Sequence, residues 1–276
     1  MSRGRGRVLL GLTLLAELAE DIEALLPLPD GGERADLGDC VLVVWPWVSP
    51  PASAVHRLRF TSASVERRVR EVRDWFAQRG RECFTWWVGD SATPPDLAER
   101  LTGVGAEPWT DEPLIATMLT TEPPPLVDGV DVVVADTYER FALAQELGWR
   151  VSGLSDAETA RRREQLERRW EEHQRRPEEA TFLALVEERP VASASAIFCS
   201  FAAFLSGAAT LPEARGRGAF RALVRARWDE AARRGTPALV VGAGAMSRPI
   251  LERIGFRVVS ETRVLVDRSG LEAPSS

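Results

Sequence analysis

The sequence contains no lysine and no asparagine, and it is poor in histidine, cysteine, methionine and tyrosine. His56 and His173 are its only histidines, too few for a His-based metal site or a Ser-His-Asp triad. The cysteines Cys40, Cys83 and Cys199 lie far apart and in no metal or redox spacing, which is typical of a protein from a reducing compartment. We therefore expect neither a metal site nor disulfide bonds.

Length and charge exclude several further classes of protein. A chain of 276 residues exceeds the usual size of one compact core, so two domains are expected. The 45% hydrophobic and 28% charged content is near the average for globular proteins and favours neither disorder nor a membrane protein. A net charge of -6, with arginines interleaved among acids, argues against a nucleic-acid partner.

The N-terminus has the outline of a short signal peptide, because Arg3, Arg5 and Arg7 precede the apolar run from Val8 to Ala16. Acidic residues follow at once, however, and no A-x-A cleavage site is present. Apolar residues also continue at helical spacing, at Leu15, Leu18, Ile22, Leu25 and Leu26. This pattern predicts an amphipathic first helix and a cytoplasmic protein.

A proline-rich stretch, TTEPPPLVDG at residues 120–129, separates two halves of similar pattern. Three consecutive prolines exclude both a helix and a central strand, so we place the linker there and predict domains at 1–122 and 128–268. The order strand, helix, strand, short helix, strand recurs on both sides. DLAERLTGVGAEP, from Asp96, resembles ILERIGFRVV, from Ile250, when Gly105 is aligned with Gly255, which indicates a repeat.

Local patterns predict further elements. One helix is predicted over 155–175, with Ser155 or Asp156 as N-cap and Glu158 close to the capping-box position. The tight polar turn EERP, residues 187–190, predicts an antiparallel hairpin. A Gly- and Asp-rich loop is predicted at 30–39, and two closing strands at 256–259 and 262–266.

The most informative stretch is LPEARGRGAF, residues 211–220, which follows an apolar run at 201–205 and opens an amphipathic run at 222–232. This pattern predicts a strand, a glycine-rich turn and the start of a helix. Such a turn presents free backbone N–H groups at the positive end of the helix dipole, where they can bind phosphate oxygens. In the first half the equivalent stretch is SASVERR, residues 62–68, which has no glycine. Only the second half should therefore bind a phosphate group in this way.

The second half, 130–267, resembles the GNAT superfamily of acyl-CoA-dependent N-acyltransferases. The resemblance rests on Pro212, Arg215, Gly216 and Gly218 and on RIGF at 253–256. The last position of the glycine motif, usually Gly or Ala, is Phe220. The resemblance implies an α/β fold of tandem GNAT-like domains, each with a mixed, mostly antiparallel sheet flanked by helices. The first domain would be a degenerate copy without the CoA motif.

The same resemblance implies acetyl-CoA as the acyl donor, bound where the fourth and fifth strands of the second domain splay apart. Backbone groups of Ala208, Ala209 and Thr210 would bind the pantetheine arm. The pyrophosphate would be held by the glycine turn and the start of the next helix, at Arg215, Gly216, Arg217, Gly218, Ala219, Phe220 and Arg221.

The catalytic residues stay unassigned, because three positions that many GNAT enzymes use carry unsuitable side chains. The usual Tyr, Asn and Glu positions are Leu251, Gly244 and Leu239. Weak substitutes are Glu139 and Glu146, which could attract a cationic amine, and Ser247, which is explained by a helix-capping role. Tyr138, the only tyrosine, is interpreted as structural.

Two functions are weighed on these observations, and acyl-CoA chemistry other than transfer to an amine is left open as a third. The first is an acyltransferase, in which the amine of an unknown small molecule or protein attacks the thioester directly within a ternary complex. No covalent intermediate is needed, and Cys199 is interpreted as a core residue. The alternative is a non-catalytic acyl-CoA-binding or scaffold protein. The acceptor is open, with Trp45, Trp47, Trp86 and Trp87 as weak candidates for its pocket, and the chain is expected to be a monomer or a homodimer.

Overall fold

The structure is a computed structural model that describes residues 14–46, 53–109 and 114–268. The chain divides into two compact units. The first comprises Met1–Met118, Gly242–Arg248 and Val258–Ser276, and the second comprises Leu119–Val241 and Pro249–Arg257. The last strand thus clusters with the first half of the chain. Independent domains at 1–122 and 128–268 stay a prediction.

The first unit is built on a mixed sheet. Residues 14–20 are helical, and the chain continues through α1 (Ile22–Leu25), β1 (Glu33–Asp36), β2 (Val41–Val44), β3 (Ser53–His56), α2 (Val65–Ala77), β4 (Phe84–Val88), α3 (Leu97–Gly103), β5 (Glu107–Pro108) and β6 (Leu114–Thr120). The strand β12 (Arg257–Asp267) pairs with β4 and β5. Of the pairings described within this unit, β3 with β4 is parallel, and β1–β2, β2–β3, β4–β12 and β5–β12 are antiparallel.

The second unit has the same mixed character. Its elements are β7 (Asp131–Val134), α4 (Tyr138–Val151), α5 (Asp156–Glu164), α6 (Leu166–Gln174), β8 (Glu179–Val186), β9 (Arg189–Phe198), β10 (Ala203–Thr210), a 3₁₀ turn (Pro212–Ala214), α7 (Ala219–Arg233), β11 (Leu239–Ala243) and α8 (Arg248–Arg253). Strands β7 to β10 pair antiparallel in sequence order, and β10 pairs parallel with β11. The predicted fold class, with mixed and mostly antiparallel sheets flanked by helices, is confirmed.

Several local predictions can be compared directly with the structure. The predicted hairpin is present, and its two turn residues, Glu187 and Glu188, both have positive φ, as a two-residue turn of type I′ requires. The predicted helix cap is also present, because Ser155 accepts a hydrogen bond from the N–H of Glu158 and forms a full capping box with it.

Three predictions of element boundaries were wrong. The single helix expected over 155–175 is two helices that meet at Gln165, where α5 buries no residue and α6 buries Leu166. The two closing strands expected at 256–259 and 262–266 are the one continuous strand β12. The loop expected at 30–39 contains β1, a short and mostly exposed strand without an apolar pattern. Residues 1–13, which include the first part of the predicted amphipathic helix, and residues 269–276, predicted to be a loose tail, lie outside the described residues.

Candidate functional site

The central feature of the second unit is the divergence of β10 from β11. These two strands pair at Ala203 with Leu239 and at Phe204 with Val240, which are their only paired positions in the described chain. Strand β10 then continues for six more residues, to Thr210, beside β9 alone. Its edge beyond Phe204 is therefore open, with backbone groups that no strand satisfies.

A β-bulge lies in this open part of β10. Ser206 pairs with Ser195 of β9, but the next paired residue, Ala209, lies opposite Ser193, so β10 has one extra residue. Beyond the bulge, Leu211 donates its N–H to the Val191 carbonyl on β9 at 3.0 Å. Because backbone N–H groups alternate between the two edges of a strand, the N–H groups of Ala208 and Thr210 are directed toward the open edge.

The glycine-rich turn follows β10 directly. Gly216 and Gly218 have φ values of +79° and +89°, a region that is strained for any residue with a Cβ. Gly218 is the N-cap of α7, whose first helical hydrogen bond runs from Ala222 to Gly218. Four backbone N–H groups at the helix start donate to no acceptor within the described chain, namely those of Gly218, Ala219, Phe220 and Arg221.

Three contacts define the surroundings of this turn and of α7. Arg217 is bound to Glu187 in the β8–β9 turn, with 3.0 Å between Nη2 and Oε1. Val127 of the proline-rich segment packs against Gly218, where a Cβ in place of the glycine hydrogen would stand 2.6 Å from the Val127 Cγ1. Arg225 of α7 also donates a hydrogen bond to the Pro124 carbonyl at 2.8 Å. The predicted linker is therefore packed along α7 within the second unit.

Two of the three positions that the sequence left without catalytic side chains are buried. Leu251 and Leu239 are completely buried. Tyr138 packs against the small apolar cluster formed by Phe141, Trp149 and Leu166, in agreement with its structural interpretation. The structure thus provides no catalytic group at either of these two leucine positions.

The weaker candidates are engaged in local contacts. Glu146 forms an ion pair with Arg163, with 2.8 Å between Oε1 and Nε. The backbone at the start of α4 and the Thr137 side chain lower the pKa of Glu139, an exposed residue of the first helical turn. Ser247 directly precedes α8, and its hydroxyl donates a hydrogen bond to the Gly244 carbonyl at 3.4 Å. None of these arrangements singles out a general base.

The predicted tryptophan candidates belong to the first unit. Trp86 is completely buried in an apolar core with Phe84, and its Nε1 donates to Asp267 at 3.0 Å. The partly buried Trp87 donates to the Thr85 hydroxyl at 3.0 Å, and Trp45 is buried. Trp47 lies outside the described residues. The buried position of Trp86 is typical of a core residue.

In the first unit the strands corresponding to β10 and β11 do not diverge in the same way. After β3 and β4 pair in parallel, Thr93 donates to the Leu58 carbonyl and accepts from the Phe60 N–H, both at 3.1 Å. The residues before α2 also satisfy one another, because the Ser64 hydroxyl accepts from the Thr61 N–H and donates to the Thr61 carbonyl. This unit, as far as the structure describes it, therefore has neither the open strand edge nor the glycine turn.

Comparison with known proteins agrees with this geometry. Residues 122–256 match the model of the acetyltransferase (GNAT) family. These residues form a GNAT domain. No protein of the curated collection matches the chain significantly.

Several solved structures have the same fold over most of the chain. A GCN5-related N-acetyltransferase from Kribbella flavida has a TM-score of 0.65 at 19% identity, and the match covers 92% of this chain and 95% of the other. A tandem GNAT protein from the clavulanic acid biosynthesis pathway has a TM-score of 0.59 at 15% identity, with 92% and 89% covered. A GCN5-related N-acetyltransferase from Sphaerobacter thermophilus has a TM-score of 0.56 at 20% identity, with 86% and 82% covered. These similarities confirm the predicted fold, which is that of tandem GNAT-like domains.

The described residues offer neither a membrane span nor a metal cluster. None of the helices in 14–46, 53–109 and 114–268 is both long and apolar enough to cross a membrane. Across the same ranges, no three or more His, Cys, Asp or Glu side chains are grouped so that they could hold a metal ion.

The sequence interpretation missed the β-bulge of the GNAT domain. Its signal was Gly207, a glycine inside an otherwise strand-like run, which often marks a bulge. The interpretation placed the strand at 201–205 and therefore ended it before the bulge.

Proposed function

We propose that the GNAT domain is an acyltransferase that moves an acetyl or other short acyl group from acyl-CoA to an amine of a small molecule or protein. The observation that carries this proposal is the opening between β10 and β11 directly beside the glycine turn. An extended arm can enter along the open strand edge while its anionic end meets the helix N-terminus. One continuous segment of chain, 203–221, supplies both parts.

The individual residues have distinct roles in this proposal. Backbone groups of Ala208, Ala209 and Thr210 bind the pantetheine arm, with the outward N–H groups of Ala208 and Thr210 as the main donors. The pyrophosphate is held at the helix start, by the backbone and positive side chains of Arg215, Gly216, Arg217, Gly218, Ala219, Phe220 and Arg221. These contacts require no metal ion.

The reaction proceeds by direct attack within a ternary complex. The amine nitrogen forms a bond to the thioester carbon, the carbon–sulfur bond breaks, and the proton lost by nitrogen ends on the CoA sulfur. N–H groups at the bulge can stabilise the negative charge that develops on the carbonyl oxygen. The remaining rate enhancement comes from holding both reactants at reacting distance. Cys199 takes no part, since no acyl-enzyme is formed.

A non-catalytic acyl-CoA-binding protein is the second candidate. It is favoured by the side chains of Leu251 and Leu239, because leucine supplies neither a proton donor nor a base at these two positions. Both candidates bind acyl-CoA, so they differ only in turnover. With either function, we propose that the protein is cytoplasmic, as predicted from its cysteine usage and N-terminal pattern.

The test measures acetyl-CoA binding by calorimetry and thiol release with a panel of amines. Gly216→Trp should abolish both, because the indole would cover the phosphate turn. Gly235→Trp is a matched control, since Gly235 lies beyond the other end of α7, has a similar φ of +84°, and likewise has open space around it. Binding without thiol release would favour the second candidate, and equal binding by both variants would contradict the proposed site.

A further inference from the structure

A row of three hydroxyl side chains crosses the sheet of the GNAT domain next to the bulge. Thr181 of β8 pairs with Ser195 of β9, and Ser195 pairs with Ser206 of β10. Directly paired residues of antiparallel strands project from the same face of a sheet. The Thr181 and Ser195 hydroxyl oxygens are 3.0 Å apart and share a hydrogen bond.

The row lies on the face of the sheet that packs against α4, but it extends beyond the covered part. Ser193, two residues before Ser195 on the same strand, is 4% exposed and donates its hydroxyl to the Ala144 carbonyl of α4. Ser195 and Ser206 are partly exposed, and so are their same-face neighbours Ile197 and Phe204. These four residues, which we call the acceptor floor, combine two hydroxyls with two apolar side chains.

Gly207 keeps the space above the acceptor floor open. A Cβ at this position would stand 3.9 Å from both the Cβ and the Oγ of Ser195, so a larger side chain would occupy the space over that hydroxyl. Gly207 and Ala208 are exposed. The hydroxyls of the floor are thus next to the outward N–H group of Ala208, where the proposed function locates the thioester carbonyl.

Glu179 of β8 and Glu146 of α4 are already engaged in ion pairs. Glu179, which pairs with Ile197, is bound by Arg176 and lies 3.7 Å from His173. Glu146 is paired with Arg163. The other titratable side chains of α4, the helix on this face, are Tyr138, Glu139, Arg140 and Arg150, and Arg140 is paired with Asp136. A serine hydroxyl can accept a hydrogen bond but does not hold a proton taken from an ammonium ion at neutral pH.

We propose that Ser206 and Ser195 orient the acceptor amine, and that the site accepts a neutral, weakly basic amine with an apolar body. This inference rests on the proposed acyltransferase function. The two hydroxyls accept hydrogen bonds from the amine N–H groups, which leaves the nitrogen lone pair free for the thioester carbon. The apolar body packs on Ile197 and Phe204. Thr181 is a positioning residue, because it fixes the hydroxyl of Ser195.

The experiment measures thiol release from acetyl-CoA with two probe amines at neutral pH, weakly basic aniline and strongly basic phenethylamine. The wild-type protein should use aniline with the higher kcat/KM. Ser206→Ala and Ser195→Ala should each lower kcat/KM for aniline by about tenfold or more. The Kd for acetyl-CoA should change by less than about twofold, since its proposed contacts are backbone groups and the glycine turn.

Matched variants separate orientation of the amine from folding. Ser193→Ala, on the same strand and face but under α4, should leave kcat/KM for aniline within about twofold of wild type. Thr181→Ser should preserve turnover, whereas Thr181→Val should lower it by releasing the Ser195 hydroxyl. Circular dichroism and melting temperature verify that each variant is folded.

The two proposals fail in different ways. If wild-type protein does not bind acetyl-CoA, the proposed function is wrong. If it binds acetyl-CoA and releases no thiol with either amine, or prefers phenethylamine, the inferred acceptor class is wrong. If Ser206→Ala and Ser195→Ala behave like Ser193→Ala during turnover of aniline, the role of the hydroxyl row is wrong while the acyltransferase function stands.

Discussion

Arg227 of α7 donates a hydrogen bond to the backbone carbonyl of Ser195 on β9, with 3.1 Å between Nη1 and the oxygen. Ser195 is opposite the last regular residue of β10 before the bulge. Arg227 therefore links the helix that begins at the glycine turn to the strand beside the open edge. It is 1% exposed, and its burial lowers the pKa of the guanidinium to about 9.

Arg227 also donates its Nε–H to the backbone carbonyl of Leu223 at 3.0 Å. We expect Arg227→Met to lower the free energy of unfolding by about 1–2 kcal/mol, because the carbonyls of Ser195 and Leu223 both lose their donor. Arg227→Lys should destabilise the protein more. The lysine ammonium is strongly hydrated, would be buried, and cannot reach both carbonyls. Among the described residues no carboxylate lies close enough to affect the pKa of Arg227, so the buried ammonium would have no counter-charge. Urea denaturation of the two variants measures the order, and a lysine variant more stable than the methionine variant would contradict it.

Substitutions in the glycine turn should differ in severity. Gly216→Ala adds only backbone strain, since a Cβ there meets nothing within 4 Å. Gly218→Ala adds the same strain and a clash with Val127, so it should lower stability by about 1–3 kcal/mol and weaken acetyl-CoA binding more. The double variant Gly218→Ala, Val127→Ala should recover part of this loss. Calorimetry and thermal melting give both quantities, and equal losses at the two glycines would rule out the steric argument.

The ion pair between Arg217 and Glu187 should compete with the cofactor. Glu187→Gln releases Arg217, so acetyl-CoA affinity should increase by about two- to threefold at low ionic strength. The gain should disappear in about 1 M salt, where charges at the surface are screened. Arg217→Gln should show the opposite change. Affinity that is insensitive to both substitutions would exclude Arg217 from phosphate binding.

Acetyl-CoA should bind with a stoichiometry of one per chain. In the first unit, the chain segments that follow β3 and β4 stay joined, because Leu58 and Phe60 are hydrogen-bonded to Thr93. The Thr61 N–H in the turn before α2 is already bonded to the Ser64 hydroxyl. Isothermal titration of the full chain measures this number. A second binding event that survives Gly216→Trp would contradict the assignment of a single site.

The stability of the first unit should depend on Glu23, because burial raises the pKa of this α1 carboxyl from 4.5 to about 7. The folded protein then keeps this proton where the unfolded chain has lost it. The contribution to stability is therefore complete below about pH 4.5 and is lost as the pH rises through about 7. Glu23→Gln should leave stability at about pH 4 unchanged and increase the free energy of unfolding at about pH 8 by about 1–2 kcal/mol.

Urea denaturation at several pH values tests this expectation. Glu17→Gln is the control, since Glu17 is an exposed acid of the preceding helical residues. Parallel pH profiles of the wild type and the Glu23→Gln variant would show that the carboxyl at position 23 does not govern this dependence.

The sequence by itself determined the features that depend on local pattern. The glycine pair at 216 and 218 predicted a phosphate turn, because only glycine readily adopts positive φ at two such closely spaced positions. The spacing of Ser155 and Glu158 predicted a helix cap, and the proline run marked a break between two similar halves. Each of these signals is carried by residues within a few positions of one another.

Only the tertiary structure decided which distant residues meet. The bulge follows the pairing of Ser206 with Ser195, and the strand register brings Thr181 to the same face, although these residues lie apart in the chain. Serine alternates with alanine at 192–196, which is a period-2 strand pattern, but that pattern does not show which residues of the neighbouring strands lie opposite these serines. The assignment of β12 to the first unit likewise depends on pairing between Val264 and Trp87, not on sequence proximity. Local patterns therefore determined the glycine turn, whereas strand register determined the surface on which we place the acceptor.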